Sequence, residues 1–329
     1  MTNAIREVDL GAGRRKRKTL LSLLAAAGTV LAVAVSVVAW TFAPARLSLP
    51  AVDVGSLPSA SPPSGMSISA LPTGAYETAA ALAFRGGRWG DTRAFASTGV
   101  LVRHPRGDLL IDTGFGRNVE QHLQLIPSFQ RSPHTVRVAI VDQLAATHTR
   151  RQDIAAIIPT HAHWDHISGV EDLPGVPVMV SPAGRSFIAS KAEGTEVINS
   201  FHDVDYRLYT FEGGPYLAFP TSHDVYGDGA VVIVPAPGHT SDSVIVFVNL
   251  PSGKRYAFIG DLVWQEEGLT IPAEKPWLLR TLVGENNREV HTDLARIRDA
   301  VSRYPQITAV PAHDARAYRT IATYPDVTR

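Results

Sequence analysis

The stretch His161-Ala162-His163-Trp164-Asp165-His166 is rich in side chains that can bind a metal ion. Three histidines and an aspartate lie within these six residues, directly after the apolar run Ile154–Pro159. Zinc and similar divalent ions are bound by imidazole nitrogens and carboxylate oxygens that converge on one point. A short loop that leaves a strand can turn several such side chains inward together. The stretch therefore predicts a metal site at the end of a strand.

Three later apolar runs end in the same way, with a small residue or a proline followed by a histidine or an aspartate. Loops at one edge of a sheet lie close together and carry functional side chains. We therefore expect the candidate ligands of all four loops to meet at one place. These candidates are His161, His163, Asp165, His166, His239, Asp261 and His313. The other seven histidines are expected not to be ligands.

The size of this ligand set indicates a catalytic centre. A structural zinc site is closed by four protein ligands, whereas seven ligands around two ions leave room for water and substrate. Water held between two neighbouring ions becomes a nucleophile at neutral pH. The sequence thus predicts metal-assisted hydrolysis with two divalent ions. Zn²⁺ is the expected metal, and iron or manganese stays open because histidine and carboxylate ligands serve all three.

The composition excludes some other classes of site and partner. The chain has 329 residues, with 31 basic and 31 acidic side chains, and it has no cysteine. Thiolate ligands and disulfides are therefore excluded. Nucleic acid is not expected as a partner because phosphate binding requires a basic surface. A small-molecule substrate is expected instead.

The N-terminal part has the pattern of a membrane anchor. The basic block Arg14–Lys18 precedes Thr19–Ala43, which has no charged residue and is rich in Leu, Ala and Val. As a helix rising ~1.5 Å per residue, this segment is long enough to span a hydrocarbon core of roughly 30 Å. The basic flank predicts that residues 1–18 are cytoplasmic and that the remainder lies outside the cytoplasmic membrane. The alternative is a signal segment cleaved near Ala43-Pro44-Ala45, which would release a secreted protein.

The rest of the chain is expected to be one domain behind a linker. Residues 44–72 are rich in Pro, Ser and Gly and predict a flexible linker. Residues 73–329 mix strand and helix patterns, which indicates a layered α/β domain. Helical spacing predicts helices over Val136–His148 and Asp293–Tyr304.

Five short segments, in this order, resemble the metallo-β-lactamase-fold hydrolase superfamily. They are Leu110–Gly114, His161–His166, Pro237–Thr240, Gly260-Asp261 and Ala312–Asp314. The resemblance implies an αββα four-layer sandwich with metals at one edge of its two sheets.

The resemblance also implies roles for individual residues. Asp165 would orient the attacking hydroxide that bridges the two ions, and Asp112 would hydrogen-bond the histidine loop. The implied ligand sets are His161, His163 and His239 for the first ion, Asp165, His166 and His313 for the second, and Asp261 as the bridge.

Within the superfamily, the stretch Ser222–Gly229 and the closing pair His313-Asp314 are similar to lactonase-like members. This similarity implies an ester or lactone substrate such as an N-acyl homoserine lactone. Such lactonases commonly have a tyrosine three residues after the bridging aspartate, where it contacts the substrate carbonyl. Here Trp264 occupies that position, and Tyr226 is a candidate replacement.

Three alternatives stay open. A phosphodiesterase acting on a lipid or nucleotide would use the same ligand set. A β-lactamase is less expected, because the class of these enzymes with all-histidine ligands normally lacks the bridging aspartate. A non-catalytic metal-binding scaffold is also less expected, because all seven ligand positions are intact.

Overall fold

The computed structural model describes residues 10–329, with side chains described from residue 17 onward except for Phe129. Residues 1–9 of the expected cytoplasmic segment therefore lie outside the described residues. The described chain folds into two sheets with helices on their outer faces. The strands are β1 (Ser67–Ala79), β2 (Thr92–Arg103), β3 (Asp108–Ile111), β4 (His134–Val136), β5 (Ile154–Ile158), β6 (Val178–Val180), β7 (Tyr206–Leu208), β8 (His223–Asp224), β9 (Val231–Pro235), β10 (Val244–Asn249), β11 (Arg255–Phe258) and β12 (Ile307–Val310). The helices are α1 (Leu10–Phe42), α2 (Ala80–Ala83), α3 (Val119–His122), α4 (Ile140–Ala145), α5 (Trp164–Ile167), α6 (Pro182–Ala189), α7 (Glu267–Thr270), α8 (Trp277–Leu282) and α9 (Asn287–Arg303).

The two sheets differ in their strand direction. The first has the order β4-β1-β2-β3-β5-β6-β7, with β3, β5, β6 and β7 parallel to one another. The second has the order β12-β11-β10-β9-β8 and is antiparallel except for the β11–β12 pair. Parallel strands end at the same edge of a sheet, so the loops after β11 and β12 leave side by side.

Three apolar clusters hold these layers together. One fills the space between the sheets, with Ile68 and Ile158 from the first sheet and Ile233 from the second. Another lies between the outer face of the first sheet and helices α3 to α6. A third lies between the outer face of the second sheet and α9, which contributes Leu294 and Ile297. The expectation of a mixed α/β domain with two sheets is thereby confirmed.

The predicted linker is wrong in its extent. Residues Ser67–Pro72 are the first half of β1, which pairs with β2 along its whole length. The preceding segment is also attached to the domain: Leu47 N donates to Pro272 O at 2.9 Å, and Val54 is only 3% exposed. The segment has many Pro, Ser and Gly residues and no regular apolar pattern, which is why it reads as a flexible linker. Its few apolar side chains nevertheless pack against the second sheet.

The two predicted helices also differ from the observed ones. Val136 pairs with Gly74 as part of β4, so the helix predicted over Val136–His148 is confined to α4. Helix α9 begins earlier than the predicted Asp293, because the Asn286 side chain caps it by accepting a hydrogen bond from Arg288 N.

Most of helix α1 is exposed, and only its C-terminal end contacts the layered domain. Its segment Arg17–Phe42 has a mean hydropathy of 2.4 in its most apolar window, and none of that window is buried. It is long and apolar enough to cross a membrane, and a signal sequence near an N-terminus has the same features.

Candidate metal centre

All seven predicted ligands lie at one edge of the two sheets, in loops or in the short helix α5. His161 follows β5 by three residues, and His163 caps the short helix α5, which carries Asp165 and His166. The remaining three come from the second sheet, where His239 follows β9, Asp261 follows β11 and His313 follows β12. The expected convergence of these side chains is therefore observed, and their function as metal ligands stays a prediction.

The seven side chains form two neighbouring groups. In each group, one ligand atom from every member lies within 4.8 Å of the others. In the first, His239 Nε2 is 3.1 Å from His163 Nδ1, and in the second, His166 Nε2 is 3.3 Å from His313 Nε2. The first group is His161, His163, His239 and Asp261, and the second is Asp165, His166 and His313.

Asp261 lies between the two groups. Its Oδ2 atom is 3.4 Å from His239 Nε2 in the first group. Its Oδ1 atom is 3.1 Å from His313 Nε2 and 3.3 Å from His166 Nε2 in the second. One carboxylate thus faces both sets of imidazoles, which is the arrangement that a bridging ligand requires.

The donor atoms of the centre fit a divalent cation. Within the described part of the chain, His161 Nε2 is buried and has no hydrogen-bond partner. A buried polar atom without a partner is costly unless something outside the protein satisfies it. Nitrogen and oxygen donors without sulfur suit zinc, iron and manganese.

The protonation states of the first group also suit a metal. Burial lowers the pKa values of His161 and His163 well below the usual range, and it lowers that of His239. These imidazoles are therefore neutral near pH 7, which is the form that binds metals. Burial acts in the same direction on His166, but the carboxylates of Asp112 and Asp261 raise its pKa well above the usual range.

Asp112 supports the second group, as the sequence predicted. Its Oδ2 atom lies 2.9 Å from His166 Nδ1, and its Oδ1 atom accepts a 2.6 Å hydrogen bond from Thr160 N. His313 is fixed in a similar way, since its Nδ1 lies 2.9 Å from Ala96 O. Such contacts set the orientation of a ligating ring and the tautomer it presents.

Sequence reasoning missed the support for His239. Glu285 Oε2 lies 3.1 Å from His239 Nδ1 and 2.6 Å from Lys275 Nζ. Both charged side chains are almost fully buried, and Lys275 Nζ also donates to Asp261 O. No local motif marks either residue, and Glu285 is 46 positions from His239, so only the folded chain brings them together.

The aromatic residues around the centre correct one expectation. Trp264 Nε1 donates a 2.8 Å hydrogen bond to Asp261 Oδ2. Tyr226 is wrong as a replacement for the missing tyrosine, because its ring stacks on His104 and its hydroxyl donates to Gly107 O, away from the centre. Tyr76 of β1 lies there instead, with its hydroxyl 3.4 Å from Asp165 Oδ2. Tyr76 lies inside the predicted domain, but no candidate metal ligand or catalytic motif adjoins it in the sequence, so the residue was missed.

A pocket of about 210 Å³ opens over the centre. His163, Asp165, His239 and Asp261 form its floor, and Tyr76 borders it. Its other walls include the side chains Leu82, Phe95, Gln130, Ser132, Glu193, Leu279 and Leu282.

The sequence pattern of the metallo-beta-lactamase superfamily matches residues 92–315, a range that contains all seven candidate ligands. The chain belongs to the metallo-beta-lactamase superfamily. It is a hydrolase of this superfamily, in agreement with the resemblance noted from its motifs.

Curated relatives of this superfamily member include hydrolases and lactonases. A probable metallo-hydrolase of Mycobacterium tuberculosis is 28% identical over 248 residues, which cover 67% of this chain and 75% of the relative. The N-acyl homoserine lactonase AttM of Agrobacterium fabrum is 24% identical over 237 residues, covering 69% of this chain and 84% of the relative.

Similar solved structures share the fold. An N-acyl homoserine lactone hydrolase, solved with N-hexanoyl-L-homoserine at its catalytic metal centre, has a TM-score of 0.62 and 16% identity, covering 80% of this chain and 98% of its own. AidC, a dizinc quorum-quenching lactonase, has a TM-score of 0.53 and 15% identity, covering 87% of this chain and 92% of its own.

Proposed function

We propose that this chain is a dinuclear metal-dependent hydrolase that cleaves an ester or a lactone. The observation that carries the proposal is the position of Asp261, whose two oxygens face the two groups of imidazoles. A single structural ion would not need a carboxylate shared between two ligand sets. The pocket directly over this carboxylate gives a substrate access to both groups.

The ligand allocation follows the two observed groups. When bound, two divalent ions, with Zn²⁺ as the first candidate, would activate a shared water as the nucleophile and polarise the substrate carbonyl. The proposed ligands are His161, His163 and His239 for one ion, Asp165, His166 and His313 for the other, and Asp261 for both.

Asp165 is the proposed catalytic residue. Its carboxylate borders the pocket and lies 3.4 Å from His313 Nε2. In this position it orients the attacking water and accepts its proton. The water oxygen bonds to the carbonyl carbon of the substrate, and the bond between that carbon and the ester oxygen breaks. The departing alkoxide then takes up the proton that Asp165 accepted.

Tyr76 is the proposed hydrogen-bond donor to the substrate. A tyrosine hydroxyl is protonated at neutral pH and can donate to a developing oxyanion. Trp264 is less suited to this function, because its single N–H is already bonded to Asp261. Tyr76 therefore takes the place of the tyrosine that lactonase-like relatives have after the bridging aspartate.

Two further observations favour an acyl substrate. The pocket has an apolar side built from Leu82, Leu279 and Leu282, which suits a hydrocarbon chain. In addition, N-acyl homoserine lactonases occur among both the curated relatives and the similar structures.

We also propose that α1 spans the cytoplasmic membrane once. Its uncharged run begins at Thr19, directly after the basic block Arg14–Lys18, and this order supports residues 1–18 in the cytoplasm and the hydrolase domain outside. In intact spheroplasts, added protease should degrade the hydrolase domain. In a separate experiment on isolated membranes, carbonate should not extract the chain. A soluble chain that begins near Ala45 would instead indicate a cleaved signal.

The proposed activity is tested with the purified full-length chain and four substrates: N-hexanoyl-L-homoserine lactone, 4-nitrophenyl butyrate, bis(4-nitrophenyl) phosphate and a chromogenic cephalosporin. We expect turnover of the lactone or the aryl ester, and loss of it in Asp165→Ala. His202→Ala is the matched control, because this histidine is exposed and lies outside both groups. Turnover of the phosphodiester or the cephalosporin alone would overturn the acyl assignment.

A further inference from the structure

We propose that the pocket opens beside the lipid surface that holds α1, and that it takes the acyl chain of an amphiphilic substrate from that surface. This inference rests on the proposed acyl hydrolase activity and on the proposed membrane span. It deepens both, because it assigns a substrate class and an orientation of the domain on the membrane.

The apolar side of the pocket is made by two short segments of the chain. Leu82 comes from α2, whereas Leu279 and Leu282 come from α8, and Val283 follows directly. The far side of the pocket is polar, with Gln130, Ser132 and Glu193 among its residues. A hydrocarbon chain would therefore lie along α2 and α8 while its carbonyl lies over the metal centre.

The segment that follows α2 also holds the end of α1. Gly86 N donates to Phe42 O at 3.1 Å. The guanidinium of Arg85 donates to Trp40 O at 2.9 Å and to Ala43 O at 3.1 Å. These bonds fix the membrane-proximal end of α1 to one wall of the pocket.

The segment around α8 is attached to the same end. Helix α8 packs against α1, and Leu47 N donates to Pro272 O at 2.9 Å. Arg85 N donates to Glu274 O at 2.7 Å, which joins the α2 and α8 segments to each other. The orientation of the pocket relative to α1 is thus set by hydrogen bonds on both sides.

Large apolar side chains on these segments are exposed where they adjoin α1. Trp89 is 62% exposed, and its ring centroid lies 5.0 Å from that of Phe42. It borders a groove formed with Val35 and Val38 of α1, inside the apolar segment. On α8, Trp277 and Leu278 are each 39% exposed.

A lipid surface is the occupant that these features fit. Tryptophan is enriched at membrane–water interfaces, where one end of its ring is apolar and the other is wet. Because Trp89 borders the apolar part of α1, a bilayer that surrounds α1 also reaches Trp89. The mouth of the pocket, between α2 and α8, then adjoins the bilayer surface. A substrate dissolved in that surface can enter with its acyl chain first.

The first test measures position without using activity. The full-length chain is placed in phosphatidylcholine–phosphatidylglycerol vesicles that carry bromine on their acyl chains, which quenches nearby tryptophans. Trp89→Phe and Trp277→Phe should each lower the fraction of the tryptophan emission that bromine quenches. Vesicles of the same composition without bromine are the reference for each variant. Equal quenching in Trp89→Phe and the unaltered chain would overturn the proposed orientation.

The second test measures substrate choice with a matched pair of variants. Leu278→Gln alters the proposed lipid-facing surface, whereas Leu208→Gln alters an exposed leucine on β7. In vesicles, we expect Leu278→Gln to lower kcat/KM for N-dodecanoyl homoserine lactone by roughly three- to tenfold, in line with the loss of apolar membrane contact. The N-hexanoyl lactone should be affected little, and Leu208→Gln should change neither substrate.

The outcomes separate this inference from the proposed function. No turnover of either lactone or of 4-nitrophenyl butyrate would contradict the acyl activity itself, while the quenching result would still decide the orientation. Equal turnover of both lactones in Leu278→Gln and Leu208→Gln would leave the activity intact and overturn the inference about lipid-derived substrates.

Discussion

The indole Nε1 of Trp264 donates a 2.8 Å hydrogen bond to Oδ2 of Asp261, the carboxylate that lies between the two ligand groups. The same indole ring lies 4.8 Å from Lys275 Nζ, measured to the ring centroid. Lactonases commonly have a tyrosine at this position, where it contacts the substrate. In this chain the indole instead bonds to the carboxylate that we propose as the bridging ligand.

Replacing Trp264 by phenylalanine should therefore weaken metal binding. The variant keeps an aromatic ring but removes the only N–H that bonds to Asp261 Oδ2. Loss of such a supporting contact typically lowers metal affinity by roughly ten- to a hundredfold. Competition with a chelator measures the affinity, and Trp277→Phe in the same assay is the control. Unchanged affinity in Trp264→Phe would show that the bond does not orient Asp261.

Asp112→Asn should affect the second ion more than the first. Asp112 contacts His166 of the second group, and an amide nitrogen in place of Oδ2 would face His166 Nδ1 as a donor. We expect the number of tightly bound ions to fall from two to one per chain. Elemental analysis after dialysis gives this number, with the exposed Asp205→Asn as the control. Loss of both ions together would argue against two separable groups.

Tyr76→Phe should lower turnover while leaving the metal content unchanged. The hydroxyl lies at the pocket near Asp165 but is not a member of either ligand group. Removal of one donor to a developing oxyanion typically lowers kcat by roughly a hundredfold or more. Steady-state kinetics and elemental analysis on the same sample test both statements. Tyr206→Phe, on β7, is the control, and full kcat in Tyr76→Phe would remove Tyr76 from the mechanism.

The buried pair Lys275–Glu285 should behave as a unit. Glu285→Gln leaves the Lys275 ammonium buried without its 2.6 Å partner, and breaking a buried pair typically costs about 3–5 kcal/mol of stability. The double variant Lys275→Met/Glu285→Gln removes both charges and should recover much of this loss. Thermal unfolding of the metal-free chain measures the difference. If the losses in Lys275→Met and Glu285→Gln, each measured alone, add up to the loss in the double variant, the two residues are not coupled.

The sequence predicted those parts of the centre that local patterns encode. Each ligand follows an apolar run, so strand ends and loops were sufficient to place His161, His239, Asp261 and His313 at one edge. The parts that were missed depend on contacts between distant segments. No motif in the sequence marks Tyr76 or Glu285, and the fold brings each of them to the centre from a separate segment.

The same distinction applies to the fold. The buried strands of both sheets are apolar runs that can be recognised without a structure, and α9 has a clear helical spacing. The attachment of residues 44–63 to the second sheet could not be predicted, because it depends on isolated side chains such as Val54 and on backbone bonds to remote residues. The position of α1 beside the pocket likewise depends on Arg85 and Gly86, which have no distinctive pattern.

The most direct test of the central claim is a metal titration of the full-length chain. Metal is removed with a chelator, Zn²⁺ is added back in known amounts, and hydrolysis of N-hexanoyl-L-homoserine lactone is followed at each step. The unaltered chain should bind two ions and reach full activity only near the second equivalent, whereas Asp261→Ala should not. Full activity with one equivalent, or hydrolysis by the metal-free chain, would contradict a dinuclear centre.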